Sequence, residues 1–240
     1  MPRTVPLQKS SSGKDSLARA VEGVEVVLFD LDGTLIDTID LIRASMRYAT
    51  ETVLGAALPD DVLMHNVGVP LMRQMEEFDS ERAEELLRVY REHNGKVHDA
   101  MVKEYPGVEE SLEALLDCGK RLGVVTSKSR PVALRGLERF SLGRFFETVI
   151  TCDDVPVHKP DPFPLIHAAE RLHTDIDRCA YVGDSPHDMT AAISAGCIAV
   201  AALWGGFGRE RVLEPRPTHA AASMREVVRL LQGEEMCYRV

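Results

Sequence analysis

Apolar residues recur along this chain in two rhythms. Short continuous runs, Val26-Val27-Leu28-Phe29, Leu122-Gly123-Val124-Val125, Thr148-Val149-Ile150-Thr151, Cys179-Ala180-Tyr181-Val182 and Ile198-Ala199-Val200, alternate with longer stretches in which apolar residues return every three or four positions. Unbroken β-branched runs of this length predict strands buried on both faces, and three-to-four spacing predicts helices that bury one face. Helices are expected from Val108 after the Tyr105-Pro106-Gly107 turn, from Pro131, from Phe163 to about Leu172, and behind Ser185-Pro186. A short strand is expected near His219–Ala221, and Ser223-Met224-Arg225-Glu226 reads as a capping box for a last helix.

Strand and helix in alternation predict an α/β fold, a Rossmann-like parallel sheet with helices on both faces. One block breaks the alternation. Asp37 or Thr38 can cap a helix through about Val53 with Leu41, Ile42, Ser45, Met46 and Ala49 on one side. Helical periods then continue through Val62–Asn66, Pro70–Phe78 and a longer segment carrying Ala83, Leu86, Leu87, Tyr90 and Val97, with no convincing strand. The expected organisation is a flexible tail over 1–22, an α/β core from 23–37 and 104–240, and an inserted all-helical cap over 38–103. No internal repeat is visible.

The 240 residues can bury a sizeable core, and the 45% hydrophobic and 28% charged content is that of ordinary globular chains. A net charge of -10 argues against nonspecific nucleic-acid binding, which needs a basic surface, but not against a small anionic substrate. No run approaches the roughly 20 apolar residues of a membrane span. Five cysteines, Cys118, Cys152, Cys179, Cys197 and Cys237, are scattered without metal-ligand spacing, which predicts reduced thiols and a cytoplasmic location.

The chemistry gathers where strands end. In parallel sheets ligands collect at the carboxyl ends of the strands. Asp30 and Asp32 follow the first run, Thr126 and Ser127 the second, Lys159 lies beyond the third, and Asp184 with Asp188 follows the fourth. Two neighbouring carboxylates repel unless a cation is present. Carboxylates from two strand ends suit a hard, oxygen-seeking ion such as Mg2+. Thr126 and Lys159 can hold the oxygens of an anion opposite, and a phosphoryl group fits both halves.

Asp30-Leu31-Asp32-Gly33-Thr34, Thr126, Lys159 within His158-Lys159-Pro160-Asp161-Pro162, and Gly183-Asp184-Ser185-Pro186-His187-Asp188 resemble the four ordered motifs of the haloacid dehalogenase superfamily. The helical insertion, Tyr105-Pro106-Gly107-Val108, Val125-Thr126-Ser127-Lys128 and Val67-Gly68-Val69-Pro70-Leu71 are similar to its phosphoglycolate phosphatase-like branch, with Ser127 where an asparagine is common. The resemblance implies Asp30 as the nucleophile that forms an aspartyl-phosphate and Asp32 as the acid and base. It implies Thr126, Ser127 and Lys159 as binders of the phosphoryl oxygens. Mg2+ would lie between Asp30, the backbone carbonyl of Asp32, and Asp184, with Asp188 either orienting its waters or binding it directly. Within the superfamily that this chain resembles, an aspartate at position 32 implies phosphate transfer rather than carbon–halogen or carbon–phosphorus cleavage, which has no leaving alcohol to protonate.

The expected function is a magnesium-dependent phosphatase for a small phosphorylated metabolite, phosphoglycolate- or pyrophosphate-like, acting as a monomer or homodimer without nucleic-acid or membrane partners. The alternatives are a β-phosphoglucomutase-like phosphosugar mutase and a non-catalytic protein that keeps the fold. Arg43, Arg47, Arg73, Lys128 and Arg130 are candidates for a second anionic group on the substrate. His187 could line the site. His158 reads as a loop residue, and His93 and His98 as exposed positions on a polar helix. Trp204-Gly205-Gly206-Phe207-Gly208 lacks the spacing of a P-loop and reads as a turn beside the active edge.

Overall fold

A computed structural model describes residue 21 and residues 23–233; the rest of the expected tail and Cys237 lie outside the described residues. Six parallel strands form one sheet in the order β5-β4-β1-β6-β7-β8: β1 (Val26–Phe29), β4 (Arg121–Val125), β5 (Thr148–Ile150), β6 (Cys179–Gly183), β7 (Ile198–Ala202) and β8 (His219–Ala221). β1 lies in the interior of the sheet between β4 and β6, and all four of its residues are fully buried. Its side chains alternate between two cores, as strand geometry requires. Val27 and Phe29 join the cluster of Leu112, Leu115 and Val227, which lie on α5 (Val108–Asp117) and α10 (Met224–Leu231). Val26 and Leu28 join Leu165, Ala168, Met189 and Ala192, on α7 (Phe163–Arg171) and α8 (Pro186–Ala195). The continuous apolar run therefore reflects helices on both faces.

Between β1 and β4 the chain forms α1 (Ile39–Leu54), α2 (Asp60–Leu63), α3 (Leu71–Phe78) and α4 (Ala83–Met101). These helices have a third apolar cluster, built on Ile42, Met46, Leu63, Met75 and Leu86. The four residues that flank them were not expected to form strands. Ile36–Asp37 (β2) and Lys103–Glu104 (β3) pair antiparallel, so entry and exit of the helical block are tied into one two-residue ribbon. The sequence offers two residues per strand there, too few for a period to show.

The remaining helices are α6 (Arg130–Arg139) and the short α9 (Arg209–Leu213), the latter not expected. The last capping box is half formed: Ser223 Oγ accepts from Glu226 N, but Glu226 Oε2 accepts from Ala222 N, one residue ahead of the cap. Cys118, Cys152, Cys179 and Cys197 are free thiols. Among the described residues no helix is long and apolar enough to cross a membrane.

Candidate active site

The carboxyl edge of the sheet and the helical block enclose a cavity of about 680 Å³, within the range of small-molecule sites. Asp30, Asp32, Thr126, Ser127 and Asp184 all line it. Lys159 and Asp188 stand just beneath, in contact with Asp30 or with one another.

Asp30 extends β1 by one hydrogen bond, from its N–H to the Val182 carbonyl. The chain then turns: Leu35 N and Ile36 N both donate to the Leu31 carbonyl, and Gly33 takes φ +78°. The strand does not persist to Asp32, and the two carboxylates have separate surroundings. Asp30 Oδ1 accepts from Lys159 Nζ at 2.9 Å. Asp32 Oδ1 accepts from the Thr38 hydroxyl at 2.6 Å and from Lys128 Nζ. Neither of those contacts uses Asp32 Oδ2.

Lys159 is 2% exposed and four oxygens surround its ammonium: Asp188 Oδ1 at 2.6 Å, Tyr181 Oη at 2.8 Å, Asp30 Oδ1 at 2.9 Å and the Val125 carbonyl at 3.3 Å. Burial works against the charge on Lys159, but Asp188 and Asp30 outweigh it and hold the ammonium firmly protonated. The same ammonium overcomes burial at Asp188 and keeps that carboxyl below its usual range. Burial pushes Asp30 up to about 7; Lys159 opposes the rise, and Asp188 and Asp32 add to it. Asp184 is also driven upward, first by burial and then by Asp188 and Asp30.

Carboxylate oxygens of Asp30, Asp184 and Asp188 lie within 4.8 Å of one another. An all-oxygen donor set of this kind, with two of its acids disfavoured as anions by burial, fits a hard divalent cation. Asp188 is the most committed of the three, because Oδ1 meets Lys159 and Oδ2 accepts from Ser185 N (3.0 Å) and Ser185 Oγ (2.6 Å). Asp184 is held by one donor, Gly206 N, at 2.7 Å. Glycines crowd it: a Cβ on Gly33 or on Gly205 would come within 2.2 Å of its side chain. The Trp204–Gly208 turn thus serves the active edge as expected, and Trp204 Nε1 also donates to the Thr34 carbonyl.

Of the five basic candidates for a second anion, only Lys128 lines the cavity. Arg43 and Arg47 are paired with Asp60, and Arg130 with Asp154 at 2.5 Å. Arg91, Asn94, Arg135 and His98 line it instead. His98 corrects the expectation of exposure: it is fully buried, with Nδ1 2.8 Å from Asp99 Oδ1. A signal existed, since Leu86, Tyr90, Asn94 and His98 continue one buried stripe of α4 at four-residue spacing. His187 and His158 are outside the cavity lining.

The profile of the family described as "Haloacid dehalogenase-like hydrolase" matches residues 27–202. Pyrophosphatase PpaX of Bacillus velezensis is 35% identical over 207 residues, 86% of this chain and 96% of the relative. Pyrophosphatase PpaX of Halalkalibacterium halodurans is 35% identical over 205 residues, 85% of this chain and 95% of the relative. A crystal structure from Haemophilus somnus, described as a "predicted phosphoglycolate phosphatase", superimposes with a TM-score of 0.75 at 24% identity, covering 87% of this chain and 98% of that one. With its sheet, its strand-end carboxylates and these matches taken together, the chain belongs to the haloacid dehalogenase-like hydrolase family.

Proposed function

We propose that this protein is a magnesium-dependent phosphatase that hydrolyses a small phosphorylated metabolite through an aspartyl-phosphate on Asp30. The observation that carries the reading is the division of labour between two carboxylates on one cavity floor. Asp30 faces a buried ammonium and the Asp184 cluster, while Asp32 is anchored through one oxygen only.

In the first half-reaction an Asp30 oxygen attacks phosphorus as the bond to the leaving oxygen breaks, and Asp32 Oδ2 delivers a proton to that oxygen. In the second, Asp32 takes a proton from water as the water attacks the same phosphorus, and Asp30 departs as a carboxylate. Thr126, Ser127 and Lys159 bind the transferring oxygens, Lys159 with the proton that Asp30 Oδ1 accepts until it bonds to phosphorus, and the ammonium stabilises the charge that builds on them. Asp30, the Asp32 carbonyl and Asp184 would hold magnesium, which would supply further charge neutralisation at the phosphoryl group. Asp188 positions Lys159 and the loop at Ser185. Helices α1–α4 act as the cap that excludes bulk water and selects the substrate.

The named pyrophosphatases support hydrolysis over transfer to a sugar and make pyrophosphate the first substrate to try, with phosphoglycolate, implied by the motif resemblance, beside it. Purified protein should release phosphate from an aryl phosphate with Mg2+ and lose that activity in EDTA. Turnover by Asp30→Asn equal to that of the parent would refute the scheme.

A further inference from the structure

Resting on that reading, we infer that Tyr181 is a positioning residue for the phosphoryl-transfer step: its hydroxyl fixes the direction in which the Lys159 ammonium points. Tyr181 sits in the middle of β6, in register with Leu28 of β1, and its side chain is fully buried in the core on one face of the sheet. From there its hydroxyl reaches the carboxyl edge. It touches three groups brought from three separate parts of the chain: Lys159 Nζ at 2.8 Å, Asp188 Oδ1 at 3.0 Å and the Val125 carbonyl at 3.0 Å. Val125 ends β4, on the far side of β1, so the contact bridges β6 and β4 beneath the residue that leads into Asp30.

Proton accounting assigns the roles. An ammonium has three protons and no acceptor capacity. Its three shortest contacts are Asp188, Tyr181 and Asp30. Tyr181 Oη therefore accepts from Lys159 and sends its own proton to the Val125 carbonyl or to Asp188. Without the hydroxyl, the next acceptor for that lysine proton is the Val125 carbonyl, already 3.3 Å away. Nζ would slide toward the strand and away from the oxygens of the phosphoryl group whose phosphorus Asp30 attacks. A burden on geometry of this size matters because the electrostatic stabilisation of the transition state depends on donors fixed in advance.

Tyr181→Phe isolates the hydroxyl, since it keeps the ring, and Nζ, 2.8 Å from Oη and 5.4 Å from the ring centroid, lies beyond the hydroxyl rather than over the ring face. Hydrogen bonds to charged groups are worth enough to predict a loss of about tenfold in kcat. KM for an aryl phosphate and the melting temperature should stay near the parent values. A second readout needs no turnover: in lysine-labelled protein, the Lys159 ammonium resonance, assigned with Lys159→Met, should shift and exchange faster with water in Tyr181→Phe. Unchanged kcat in an active enzyme, or an unmoved ammonium resonance, would overturn the inference. A parent protein inactive on every phosphate ester but with the resonance shift intact would instead count against the phosphatase reading while leaving Tyr181's hold on Lys159 in place.

Discussion

The hydroxyl of Thr38 donates to Asp32 Oδ1 at 2.6 Å, joining the residue at the N-terminus of α1 to the proposed acid and base. Thr38 occupies the cap position of that helix, yet makes no side-chain cap to it; Asp37 Oδ1 accepts from Ile39 N instead. The entry to the helical block and the proposed acid and base are therefore one hydrogen-bonded unit. Thr38→Val keeps the shape and removes the donor. We expect kcat to fall about tenfold with a modest change in melting temperature, because the lost partner is a charged group. Steady-state kinetics on an aryl phosphate checks this.

Gly205→Ala tests the packing around Asp184. The added methyl would fall 2.2 Å from the Asp184 side chain, so the carboxylate must move or the turn must open. Activity should drop at least tenfold at limiting Mg2+ and recover in part as the ion is raised, as expected when a ligand is displaced rather than deleted. A magnesium titration of kcat distinguishes the two.

Acidity supplies a third test. Burial pushes Asp30 in the folded chain from the ordinary aspartate value of 3.8 up to about 7. Between those values the folded chain holds a proton that the unfolded chain has released, so this group lowers stability as pH rises from about 4 to about 7. Asp184 acts in the same direction. Histidines such as the buried His98 and the half-buried His187 act oppositely, because burial lowers their affinity for a proton. Comparison with Asp30→Asn removes them from the balance. In EDTA the variant should gain melting temperature over the parent, and gain more at pH 7.5 than at pH 5. Added Mg2+ should stabilise the parent more at the higher pH, since it replaces a proton there.

Much of the site was legible because a parallel sheet turns order in sequence into neighbourhood in space. Asp30, Thr126 and Asp184 each end an apolar run, and the fold brings such ends to one edge. What was not legible depends on side chains whose partners are distant. Tyr181 reads as one more apolar residue of a buried strand, and only the tertiary structure brings its hydroxyl to Lys159. Arg43 and Arg47 look like free cations on a helix until the first residue of α2, Asp60, meets both. His98 looks solvent-facing because its neighbours Lys96, Asp99 and Ala100 are, although its own stripe is buried. The pair Asp30 and Asp32 looked like one acidic turn; the bend at Leu31 separates their environments.

The proposed reaction passes through a covalent bond between phosphorus and Asp30. Enzyme mixed with a phosphorus-labelled aryl phosphate and Mg2+, then quenched in acid within one turnover, should carry label on the peptide containing Asp30, released by hydroxylamine as an acyl phosphate is. Asp32→Asn should slow release of that label, and Asp30→Asn should show none. An active enzyme that never carries label on Asp30 would contradict the account.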